Sequence, residues 1–181
     1  MSRDSLLTDA VEHFAKNGIG DASLRSIATS IGTSHRMLIY HFGSREGLLA
    51  EVVRTVEAQQ RDLLSALSAK DLPLEEQAEQ FWRLVTEAAL IYGPLFFELS
   101  AHAMQNLPHT EALKADLINV WLPPLTEICI RAGLPPDEAP AYARLGLAAS
   151  RGLLFDLLLT GDRQGVDEAS ALLNRLFTLA R

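Results

Sequence analysis

Ser23-Leu24-Arg25-Ser26-Ile27-Ala28-Thr29-Ser30-Ile31-Gly32-Thr33-Ser34-His35-Arg36-Met37-Leu38-Ile39-Tyr40-His41-Phe42-Gly43-Ser44 is the stretch that decides the fold. Ser23 is an N-cap residue type ahead of Leu24, Ile27, Ala28 and Ile31, which share one helical face over about two turns until Gly32 stops them. Ser34 caps the next helix at once, with Leu38 and Phe42 one turn apart and facing inward; Gly43 ends it and Ser44 caps a fourth. A turn of only Gly32 and Thr33 lets two short helices cross steeply where the small Ala28 sits at the contact. That is helix-turn-helix geometry. The third helix then turns His35, Arg36, Met37, Ile39 and Tyr40 outward, a set of hydrogen-bonding and apolar readers that a DNA major groove accepts. On spacing alone, the same pattern would also serve an ordinary helical hairpin in a bundle.

Toward the N-terminus, Leu6, Leu7, Ala10, Val11, Phe14 and Ala15 recur at helical spacing up to Asn17-Gly18. Toward the C-terminus, Leu48, Leu49, Val52, Val53 and Val56 continue a helix to about Leu67, linking this head to the rest. Ala69-Lys70-Asp71-Leu72-Pro73 breaks the chain, with Pro73 suited to the first turn of the following helix. Further helices are predicted over 74–92, 94–105, 110–132, 136–160 and 165–180, punctuated by Gly93, Pro108, Gly133 and Gly161. No alternating strand pattern, internal repeat or low-complexity tract competes. The expected fold is all-α with about nine helices: a helix-turn-helix head over 1–56 and a ligand-binding and dimerising body over 57–181.

Length and composition agree with this. The 181 residues, 48% hydrophobic, can bury a real core without staples. The single Cys129 cannot form an intramolecular disulfide and reads as a small packed hydrophobe. The first residues lack the apolar run of a signal peptide, and Leu153–Leu159, broken by Asp156, falls short of the roughly 20 residues of a spanning helix. A cytoplasmic protein without a membrane span is expected. A net charge of −7 opposes phosphate binding as a whole. Within 1–56, however, Arg3, Lys16, Arg25, Arg36, Arg45 and Arg54 balance Asp4, Asp9, Glu12, Asp21, Glu46 and Glu51, so the acidic excess belongs to the body.

The run from Ser23 through Phe42-Gly43-Ser44-Arg45-Glu46-Gly47-Leu48-Leu49 closely resembles the head of tetracycline-repressor-like (TetR) regulators, a resemblance covering residues 5–53. It implies a ligand-responsive transcriptional regulator, commonly a repressor, that binds a pseudo-palindromic operator as a homodimer. In that family the positions matching Ser23, Thr33, Tyr40, His41 and Arg45 clamp phosphates, and those matching His35, Arg36, Met37 and Ile39 lie nearest the bases. Hydroxyl, imidazole and guanidinium groups donate to phosphate oxygens and fix the register of the reading helix. Arg36 stands where a glycine is frequent and Ile39 where a tyrosine is frequent. Base preference is therefore this chain's own: Arg36 suits guanine or a phosphate, and Met37 or Ile39 a thymine methyl.

In the body, Phe81, Trp82, Phe96, Phe97, Met104, Trp121 and Phe155 converge from several helices, forming either a filled core or the walls of a pocket. Pro123-Pro124 is expected to kink the 110–132 helix beside Trp121 and leave space there. The expected pocket is lined by Trp82, Phe96, Trp121, Leu125 and Phe155, with His102, Asn119, Arg151 and Asp156 as nearby polar groups, and suits a largely apolar effector. Tyr142, Leu145, Gly146, Ala149 and Leu153, with Leu172, Leu173 and Leu176, form stripes. These stripes fit either burial within the monomer or the two-fold four-helix interface that the resemblance implies. No phosphate loop, zinc-spaced cluster or nucleophile elbow is present, so no cofactor, metal or catalytic residue is expected. The rival classes are a helical adaptor or small-molecule binder without DNA binding, and an all-α enzyme.

Overall fold

The computed structural model describes residues 2–18 and 22–179, and these form an all-helical chain without strands. Its elements are α1 (Arg3–Asn17), α2 (Leu24–Ser30), α3 (His35–Phe42), α4 (Arg45–Ser68), α5 (Leu74–Met104), a 3-10 turn (Pro108–Thr110), α6 (Glu111–Asp116), α7 (Leu122–Arg131), α8 (Ala139–Thr160) and α9 (Arg163–Leu179). Serines begin all four head helices. The hydroxyls of Ser2, Ser23, Ser34 and Ser44 accept from the amides of Ser5, Ser26, Met37 and Gly47 at 3.1, 3.2, 3.2 and 3.0 Å, satisfying donors that no helix turn reaches.

Gly32 adopts φ +70°, the left-handed conformation that lets the chain reverse between α2 and α3. Leu6, Phe14, Ile27, Leu38, Leu48 and Leu49 meet beneath it, each 1% exposed or less. This buried cluster does not stop at the head: it runs on through Tyr92, Leu95, Leu99 and Leu113 of α5 and α6. The Tyr92 hydroxyl donates to the Val11 carbonyl at 3.0 Å, and Arg54 on α4 bonds Asp116 on α6 at 2.9 Å, so polar ties reinforce the apolar continuity.

Two helix expectations are corrected. Gly93-Pro94 does not divide the chain, because α5 runs unbroken from Leu74 to Met104. Pro94 lies on the exposed side, one turn from the exposed Leu90, whose carbonyl it leaves without its intrahelical donor. Gly93 instead lets α8 approach: a Cβ there would stand 2.6 Å from Leu158 Cδ1. Conversely, the single helix expected over 110–132 is divided. The chain turns after α6, and Pro123 and Pro124 occupy the first turn of α7, where their missing amides cost no intrahelical bond. They start a helix rather than kink one. By length and composition α5 is apolar enough to cross a membrane. Val85, Ala89, Leu95 and Leu99 turn that apolar surface into the bundle, where α4, α8 and α9 pack on it.

Candidate functional site

The outward face of α3 follows from its anchor. Leu38 is wholly buried and Phe42 nearly so, which fixes the rotation of the helix and leaves His35, Arg36, Ile39 and Tyr40 exposed, Tyr40 by 79%. Met37 is half-buried and packs on the head core, so the edge of its thioether side chain borders that face rather than standing on it. The flanking positions are less uniform. Ser23 is exposed and its hydroxyl already caps α2, while Thr33 is half-buried in the turn. Arg45 is half-buried and its Nε donates to the Ala22 carbonyl at 2.9 Å, tying the approach to α2 onto the start of α4. His41 packs edge-on against Tyr40 at 4.9 Å, and its Nε2 is buried without a hydrogen-bond partner.

Behind the head, α4, α5, α7, α8 and α9 enclose a cavity of about 250 Å³. Trp82, Phe96, Trp121 and Leu125 line it together with Phe81, Phe97 and Phe177. Phe155 was expected among them and is not: it is 48% exposed and touches Phe97 from outside at 5.3 Å. The neighbouring Leu154 takes the inward position, since one residue turns a helix by about 100°. Trp82 Nε1 donates to Asp167 Oδ1 at 2.7 Å, joining α5 to α9.

Of the charged groups lining this cavity, Arg151 is one that the sequence pattern singled out and Glu57 is one that it did not. Glu57 on α4 is 8% exposed, and its Oε2 accepts both Trp121 Nε1 at 2.8 Å and Arg151 Nη2 at 3.1 Å. Burial pushes the Glu57 carboxyl up, against the pull of Arg151 and the Trp121 bond, and burial lowers Arg151 against the pull of Glu57. Desolvation therefore outweighs the mutual attraction of this pair. Arg61, one turn further along α4 and outside the cavity lining, lies over the Trp121 ring at 5.7 Å with its Nη1 buried and without a hydrogen-bond partner. The available signal was that Leu49, Val53, Glu57 and Arg61 continue one buried stripe at four-residue spacing, which places charges at core positions.

Of the other polar candidates, Arg151 pairs with Glu57 and not with Asp156, which instead bonds Thr160. His102 sits beside His109 at 3.2 Å and is not among the cavity-lining residues; neither is Asn119. Cys129 is buried, and burial raises its thiol above the ordinary value. Among the described residues, no group of three or more His, Cys, Asp or Glu side chains is placed to hold a metal.

The expected interface stripes divide. Tyr142 and Gly146 face inward against Phe177, with ring centroids 5.4 Å apart at Tyr142 and a Gly146 Cβ position 3.2 Å from the Phe177 ring. Both are intramolecular contacts between α8 and α9, the monomer-burial alternative at these two positions. Leu145, Leu172 and Leu176 are 55%, 48% and 53% exposed. Ala149, Leu153, Leu172, Leu173 and Leu176 line a shallow apolar groove along the outside of α8 and α9.

A family model described as bacterial regulatory proteins, tetR family, matches residues 6–52. The HTH-type transcriptional repressor NicS of Pseudomonas putida is 34% identical over 146 residues, 76% of this chain and 67% of that protein. The HTH-type transcriptional regulatory protein RaaS of Mycobacterium tuberculosis is 41% identical over 56 residues, 27% of this chain and 26% of its own. Among solved structures, a TetR transcriptional regulator from Legionella pneumophila superposes with a TM-score of 0.72 at 21% identity, over 97% of each chain. A TetR-family regulator from Pectobacterium atrosepticum gives 0.73 at 21%, over 96% of this chain and 90% of the other.

Proposed function

The chain belongs to the tetR family of bacterial regulatory proteins and is a DNA-binding transcriptional regulator rather than an enzyme; on that premise we propose that it is a ligand-released, homodimeric repressor. The observation that carries this reading is α4 itself. Its first half supplies Leu48, Leu49 and Val52 to the head core, and its second half supplies Glu57, Leu64 and Leu67 to the cavity wall. One rigid helix thus joins the DNA-reading face to the ligand space. A ligand that favours one tilt of α4 alters the separation of the two α3 helices in a dimer, and half-sites of fixed spacing then bind less well.

His35, Arg36, Met37 and Ile39 set base preference in this reading, and Ser23, Thr33, Tyr40, His41 and Arg45 hold phosphates. The head over 1–56 and the body over 57–181 share α4 as their link. The exposed leucines of α8 and α9 support a second copy as their cover, since apolar side chains at half exposure gain by mutual burial. The effector is small and mostly apolar, in keeping with the cavity walls.

Titration with random duplex DNA at varied salt tests the regulator reading: binding weakens steeply as salt rises, whereas an adaptor or enzyme gives none. Operator selection returns a pseudo-palindrome. Ala149→Glu and Leu172→Glu place charges in the outer groove, and light scattering then gives the monomer mass together with weak operator binding. A dimer mass for both variants moves the interface elsewhere.

A further inference from the structure

We propose that the body cavity selects an amphipathic organic anion, whose carboxylate is seated on Arg151 in place of Glu57 while its hydrocarbon part lies along Phe96, Trp121 and Leu125. The inference rests on the ligand-binding reading above and specifies its ligand class. It starts from a charge imbalance. The buried carboxylate of Glu57 is flanked by two guanidinium groups, Arg151 bonded to it at 3.1 Å and Arg61 stacked on Trp121. The cluster is net positive in apolar surroundings, where an uncompensated charge is expensive and a counter-charge is correspondingly attractive.

The donors are also incompletely used. Arg151 spends one N–H on Glu57, stacks one face over the Phe96 ring at 5.1 Å, and lines the cavity. A guanidinium carries five N–H donors in a planar fork that matches a carboxylate. Arg61 Nη1 is buried without a hydrogen-bond partner. Both bonds to Glu57 fall on Oε2 alone, so the pair is a single-point contact that a second carboxylate can displace. Burial already pushes the Glu57 carboxyl up, and a proton on it lets it donate to the incoming anion instead of repelling it.

The exchange bears on regulation through its position. Glu57 stands on α4 and Arg151 on α8, so the ion pair that the anion replaces is one that ties the head-bearing helix to the body. Ser150 and Asn174 line the same cavity and supply polar surface without adding charge. The cavity volume of about 250 Å³ limits the ligand to a short chain or one or two rings.

The experiment uses the full chain without DNA and three probes of one length: octanoate, 1-octanol and octylamine. Both tryptophans of the chain, Trp82 and Trp121, line the cavity, so intrinsic fluorescence reads occupancy directly. Octanoate is expected to bind at least about tenfold more tightly than 1-octanol, with octylamine weakest, as one charge-assisted contact provides. Arg61→Gln is expected to narrow that preference. The double variant Glu57→Gln with Arg151→Gln removes both members of the ion pair together, so that neither is left without the other, and is expected to abolish it. Tightest binding of octylamine would make Glu57 the anchor for a cation. Equal affinities would make the ligand neutral, and a preference surviving the double variant would place the carboxylate elsewhere. Silence to all three probes would overturn the proposal. The salt-dependent DNA titration of the same preparation reads the regulator function separately.

Discussion

The head and the body are built from the same kind of helix and solve opposite problems. In the head, short helices are capped by serines, and the buried side chains Leu6, Phe14, Ile27 and Leu38 are all apolar, so the reading side chains His35, Arg36, Ile39 and Tyr40 stand outside. In the body the distinctive chemistry is inside: an acid, a guanidinium and two indoles line a space the helices do not fill, with a second guanidinium stacked on Trp121. A DNA reader gains from a rigid, fully packed platform that holds exposed side chains in register, whereas a ligand sensor gains from incomplete packing that something else can complete.

The contrast is broken most directly by truncating a leucine in each region. Leu38→Ala leaves a hole in a filled core and is expected to cost about 2 to 5 kcal/mol. Leu125→Ala enlarges an existing space from a partly buried position and is expected to cost less than half of that. Urea unfolding of both variants checks it, and equal losses would mean that the body is packed as tightly as the head. A smaller effect separates roles within the head. Arg36→Ala is expected to relax selectivity at one base pair by about 1 to 3 kcal/mol, while Arg45→Ala weakens all duplexes alike and lowers the salt slope by about one unit. Operator variants titrated at several salt concentrations distinguish the two, and uniform losses for Arg36→Ala would remove it from the readers.

The gentlest test concerns pH. Burial raises Glu57 above its ordinary value of 4.5, so the folded state binds that proton more tightly than the unfolded chain does. Its contribution to stability is therefore greatest below 4.5 and is lost as pH rises through the folded value. Glu57→Gln should remove this component, so the difference in urea midpoint between variant and parent shifts in favour of the variant from pH 4.5 upward. A difference that stays constant over that window would mean that Arg151 fully compensates the buried charge.

Much of the head was legible because its rules are local. Ser23, Ser34 and Ser44 cap helices within three residues of themselves, Gly32 reverses the chain where it stands, and Leu38 with Phe42 fixes the face of α3 one turn apart. The all-α class and the run of α4 toward Leu67 follow from the same short-range periodicity. The body depended on what each helix meets. Gly93 looked like a break and is the point where α8 comes close; Pro123-Pro124 looked like a kink and opens α7. Phe155 and Leu154 are adjacent and equally apolar, and only the packing of α8 sends one outward and the other into the cavity. Tyr142 and Gly146 carry no sign of whether they face a partner or Phe177. Glu57, Trp121 and Arg151 lie 64 and 94 residues apart in their bonded pairs, and no periodicity within a helix can report a contact made between helices. Caps and turns are decided by neighbours along the chain, which the sequence contains, whereas the cavity and its buried charges are decided by the angles at which finished helices pack.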